Sequence, residues 1–130
     1  MASASWQAPE GISLLATSEQ VNSAASQVNV AMPISSSSAA TARILPRPAR
    51  VVGMSVSSSV AAAGAAATIT LFYDGVATAL TVVLPIAATT AFGVGDVAIE
   101  AGHPFDFRIS TPAGWTSTTA DLTVDAWSCP

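Results

Sequence analysis

Lysine is missing from this chain, and basic charge is scarce altogether. Four arginines stand against eight acidic residues in 130 positions, giving a net charge of −4. Nucleic-acid binding needs clustered cations to neutralise phosphates, so that partner class is excluded. A Walker-type phosphate loop needs a lysine, and Gly93 and Gly95 do not make one. Cysteine is reduced to Cys129 and histidine to His103. One of each rules out an intrachain disulfide framework and a zinc site built within one chain. No apolar run approaches the roughly 20 residues of a membrane span. The longest weakly polar stretch, Val60 to Tyr73, is mostly Ala with Thr and Gly, and Asp74 closes it. The segment MASASWQAPEG has neither a basic n-region nor an apolar h-region, so no secretory signal is expected.

What remains is a chain that is 51% apolar and only 9% charged, against about 25% charged in ordinary soluble domains. Most of the apolar half is Ala and Val, and much of the rest is Ser and Thr. Val and Thr suit pleated, half-buried surfaces. Charged side chains normally keep surfaces soluble and apart. A surface this poor in them implies either a Ser/Thr exterior or permanent assembly with partners. The length suits one domain.

Residues 1–26 differ from the rest. They mix Ser, Ala, Gln and Asn with isolated apolar residues, and Pro9 and Gly11 interrupt any helical pattern. A short helix around Leu14–Ala25 is an open alternative. The composition describes an N-terminal arm that lays Trp6, Ile12, Leu14 and Leu15 on a neighbouring subunit, and whose removal spares the remaining fold.

From Gln27 to Pro130 the period is two. Val28, Val30 and Met32 alternate with Gln27, Asn29 and Ala31; Thr41–Leu45 and Val51–Val56 flank the bend Pro46-Arg47-Pro48. Thr68–Tyr73, Asp74-Gly75 and Val76–Leu84 make a β-hairpin, because Asp and Gly tolerate the positive φ of a type I′ turn. Thr89–Ile99, then Phe105, Phe107 and Ile109 on one face, then Asp121–Trp127 complete seven or eight short strands. These observations predict an all-β, jelly-roll-like antiparallel β-sandwich over residues 27–130.

No constellation for catalysis emerges. There is no G-x-S-x-G elbow, and His103 has no Ser/Asp arrangement around it. Asp121 and Asp125 share one strand face, which reads as solvated or, with backbone carbonyls, as a calcium site, although no D-x-D-x-D-G loop is present. The expectation is a protein that is not an enzyme and uses no cofactor. Two features suggest partners. Arg43, Arg47 and Arg50 fall within eight residues around two prolines, as a solvated sheet edge or as a docking patch for an acidic surface. Trp115, in the turn Pro112-Ala113-Gly114-Trp115, suits core packing, a sugar ring or a subunit seam.

The stretch from Val51 to Trp127 resembles a small β-domain of tailed-phage structural proteins, the capsid decoration (cement) and head-fibre type. The segments carrying the resemblance are Leu71–Val82 with its Asp74-Gly75 hairpin, Pro85–Thr90, Val97–Gly102 and Phe105–Thr111. His103-Pro104 and Ile86-Ala87-Ala88 depart from the family pattern, the latter where a Gly-containing turn is usual. The resemblance implies a jelly-roll-like homotrimer on the virion surface, made in the host cytoplasm and bound to the major capsid protein of a phage head. The alternative it leaves is a carbohydrate- or receptor-binding module of a tail fibre or head fibre, with Trp115 and the aspartates as contacts.

Overall fold

The computed structural model describes residues 12–129, and all regular structure in it is β. Eight strands follow in order: β1 (Ser13–Gln20), β2 (Gln27–Ala31), β3 (Ala49–Ser58), β4 (Ala67–Tyr73), β5 (Val76–Leu84), β6 (Thr90–Ile99), β7 (Phe105–Thr111) and β8 (Leu122–Cys129). They form two antiparallel four-stranded sheets, ordered β1-β8-β3-β6 and β2-β7-β4-β5.

The order has a simple origin. The innermost hairpin is β4–β5, closed by Asp74 and Gly75 at φ +52° and +76°, as a type I′ turn requires. Around it nest the pairs β3–β6, β2–β7 and β1–β8. Alternate rungs of this double ribbon fall into alternate sheets, where β3–β8 and β4–β7 pair laterally. Eight strands in two wrapped sheets are the jelly roll, and the β-sandwich expectation is met.

Alternation along each strand puts one face of each sheet inward. Ile69 and Leu71 of β4, Phe105, Phe107 and Ile109 of β7, Val51, Met54 and Val56 of β3, and Leu122, Val124 and Ala126 of β8 are buried in one core. Phe105 and Phe107 meet edge to face, with centroids 6.3 Å apart. Loops tie the two ends of the sandwich. At one end Ser23 N–H donates to Ala120 O, Thr116 N–H to Ala63 O and Ala87 N–H to Ala62 O. At the other, Asp74 N–H donates to Pro104 O and Gly102 N–H to Leu45 O.

Four expectations are corrected. Residues 13–20 are not an arm: they form edge strand β1 along β8, with Ala16 and Ser18 buried. Nor is there a helix in Leu14–Ala25. The sequence signal for β1 is weak because a bulge between Leu14 and Ala16 breaks its alternation. Thr41–Leu45 is not a strand but a single bridge, Arg43 to Phe105, in a segment that Pro46 and Pro48 prevent from extending. Val28, expected on the face of buried Met32, is 79% exposed. The reason is a bulge between Gln27 and Val30, with Asn29 at φ +46°.

Candidate functional site

The fates of the residues singled out from the sequence differ sharply. Trp6 lies outside the described residues. Ile12 is half-buried, Leu15 packs against the core, and Leu14 stands exposed opposite Trp127. Trp115 is 2% exposed and donates its indole N–H to Ser23 O at 3.0 Å. It therefore plugs one end of the sandwich, which removes it as a surface contact for sugar or subunit.

The three arginines do not act together. Arg43 lies partly buried, donating to Ser18 Oγ at 2.9 Å with its guanidinium 5.9 Å from the Phe107 ring centre. Burial pushes its pKa down from the usual arginine value. Arg50 forms a two-pronged ion pair with Asp96, with Nε to Oδ1 at 3.0 Å. That hydrogen bond, with the charge attraction, raises Arg50 and lowers Asp96. Arg47 is exposed in the proline bend.

His103 is engaged as well. Its Nδ1 lies 2.8 Å from Asp74 Oδ2 and its Nε2 3.5 Å from Glu100, with Tyr73 stacked obliquely beside it. The Asp74 hydrogen bond, and then the Asp74 and Glu100 charges, raise its pKa. Asp121 accepts from Asn22 N–H and Asp125 from Thr17 Oγ1. Among the described residues no three His, Cys, Asp or Glu side chains converge as metal ligands.

Two outer sheet faces remain as candidate surfaces. On β2-β7-β4-β5, cross-strand rows place Thr81, Thr70 and Arg108 together, and Val83, Thr68 and Ser110 together. The Thr70 and Thr81 hydroxyls hydrogen-bond each other at 3.2 Å. The charges there, Asp106 and Arg108, pair at 3.1 Å, and the guanidinium lies 4.3 Å from the Phe72 ring centre. Asp106 and Phe72 are nearly covered, at 6% and 7% exposure.

On β1-β8-β3-β6 the rows are Thr17, Asp125, Ser55 and Phe92, then Glu19, Thr123, Ser57 and Thr90. At the corner where β6 meets β5, a groove of about 570 Å³ opens between Ser55, Ser57, Val83, Thr90, Phe92 and Asp125. Phe92 and Val94 are each 79% exposed. Sequence reading missed Phe92 because glycines at 93 and 95 blur the alternation of β6. Those glycines were the available signal, since a strand glycine marks close backbone approach. A β-carbon at Gly93 would sit 2.7 Å from Thr81 O of β5. Compared with known proteins, the chain matches no family model and no curated sequence.

Proposed function

We propose that this protein is a non-enzymatic structural subunit of a phage particle, a decoration protein that attaches to the major capsid protein as a homotrimer and stabilises the shell. The observation that carries the reading is the outer face of β2-β7-β4-β5. It is rich in Thr, Val and Ser, and its charges are paired, because Asp106 and Arg108 satisfy each other over Phe72. Covering such a face against protein strands no isolated ion, which is the main penalty of polar interfaces. The Thr70 and Thr81 hydroxyls at its centre already partner each other. The jelly roll and the 9% charged composition support the same reading. A symmetric oligomer of such subunits adds contact area across shell joints without chemistry.

Light scattering on the purified full chain tests the assembly step. At micromolar concentration the mass should be three times 13.0 kDa. Thr70→Glu, which sets a carboxylate in the centre of the face, should give monomers with unchanged β-sheet circular dichroism. A wild-type mass of 13.0 kDa, or a variant that assembles normally, would contradict the proposal.

A further inference from the structure

We infer that the groove at the β5–β6 corner binds a neutral sugar unit of an oligosaccharide, with Phe92 as the stacking platform and Asp125 as the acceptor of its hydroxyls. This goes beyond the assembly reading and rests mainly on the opposite sheet.

The inference begins with the backbone. Gly93 has no side chain, and any β-carbon there would collide with Thr81 O at 2.7 Å. The bare glycine lets β6 lie close against β5, and alternation turns the neighbouring Phe92 outward from a paired strand, opposite Ser55. The ring is thus presented by sheet rather than by loop, and at 79% exposure it is left open by the described residues. A large apolar side chain held open on a rigid element carries binding area at little cost in ordering.

The polar groups beside it have spare capacity of the right kind. Asp125 uses Oδ1 to accept from Thr17 Oγ1 at 2.7 Å, and its Oδ2 takes no donor among the described residues. Ser55 Oγ accepts from Trp127 Nε1 at 3.0 Å, which leaves its own hydroxyl proton free to donate. Ser57 and Thr90 add exposed hydroxyls along the next row, and Val83 supplies an apolar wall. A sugar offers the complement: an apolar C–H face for the ring, neighbouring hydroxyls that donate to a carboxylate, and oxygens that accept from serine.

Charge narrows the class. No arginine lines the groove, and the protein carries −4 overall, so anionic sugars and phosphate esters are disfavoured. A second protein copy fits less well, because it would bury Asp125 without a cation, whereas a sugar leaves the groove open to water on one side. The volume, about 570 Å³, falls within the usual range of small-molecule sites.

The test is calorimetric titration of the full-length protein with neutral hexasaccharides (malto-, cello-, chito- and mannohexaose), with 3′-sialyllactose as the anionic control. At least one neutral hexasaccharide should bind saturably, and the fluorescence of Trp127, coupled through Ser55, should follow. Phe92→Ala should weaken that binding about tenfold or more. Asp125→Asn, which keeps the shape and the Thr17 contact, should weaken it severalfold, while Val28→Ala should leave it unchanged. Both groove changes lie at the surface, so circular dichroism should show the fold retained. The inference is overturned by no saturable binding to any of the four, by binding that survives both groove variants, or by preference for sialyllactose. A change of mass with Phe92→Ala but no sugar binding would instead make the corner a protein seam and equally reject it. The Thr70→Glu variant separates the two readings, since loss of assembly there should leave sugar binding intact.

Discussion

Replacement of Trp115 offers the sharpest check on how the sandwich is closed. The indole is 2% exposed and its N–H reaches the carbonyl of Ser23 in the β1–β2 loop at 3.0 Å. The backbone of the β7–β8 loop that carries Trp115 is held on both sides: Trp115 N–H donates to Pro112 O, and Thr116 N–H to Ala63 O in the β3–β4 loop. Trp115→Ala removes the largest fully buried side chain among the described residues and leaves a cavity, a change worth about 3–5 kcal/mol. Trp115→Phe keeps most of the volume but leaves Ser23 O without its indole donor, which costs about 1–3 kcal/mol. A domain of this size loses roughly 3–5 °C of melting temperature per kcal/mol. The alanine variant should therefore melt about 10–25 °C lower and the phenylalanine variant about 3–15 °C lower. Urea unfolding at fixed protein concentration should show a shifted midpoint with an unchanged slope. A loss below about 1 kcal/mol for Trp115→Ala would refute the plug and return the residue to the surface.

Three further outcomes follow from local geometry. His103 has a raised pKa because of Asp74, so the stabilisation from this pair is complete below the unfolded value of about 6.5 and is lost as pH rises through the higher folded value. The melting-temperature gap between wild type and His103→Gln should shrink as pH rises above about 6.5, and a constant gap would contradict this. Ala87 holds φ +73° in the turn after β5, where an L-residue is strained, so Ala87→Gly should gain about 0.5–1 kcal/mol in urea unfolding; a loss would be contrary to expectation. Gly93→Ala should cost about 1–3 kcal/mol, because the new methyl group meets Thr81 O, and the same variant should weaken any sugar bound beside Phe92.

The sequence was most readable where turn chemistry and alternation agree. Asp74-Gly75 and the run Phe105, Phe107, Ile109 each announced their structure, because a single backbone conformation suits those residues. The tight turn over Ile86-Ala87-Ala88 kept the positive φ that glycine usually serves, with Ala87 taking the strain. Legibility failed at bulges. Leu14/Ala16 and Gln27/Val30 each insert a residue into the ladder and shift the period, so β1 passed for an arm and Val28 was placed in step with Met32. Partner geometry was hidden for a different reason. Arg43, Arg47 and Arg50 are close in sequence, but Ser18 and Phe107 take the first and Asp96 takes the last, from strands far along the chain. Trp115 beside glycine left core packing, a sugar contact and a subunit seam open, and its burial at 2% exposure selects core packing. Phe92 and Asp125, 33 positions apart, become neighbours only through the β6-β3-β8 register.

Electron microscopy of phage heads incubated with the purified full-length protein tests the central proposal most directly. The account predicts saturable density on the outer shell, in groups of three, with the β2-β7-β4-β5 faces turned toward protein and the Phe92 corner toward solvent. Heads that remain bare at saturating concentration, or density in which the Thr68–Thr70–Thr81 face looks outward, would contradict it.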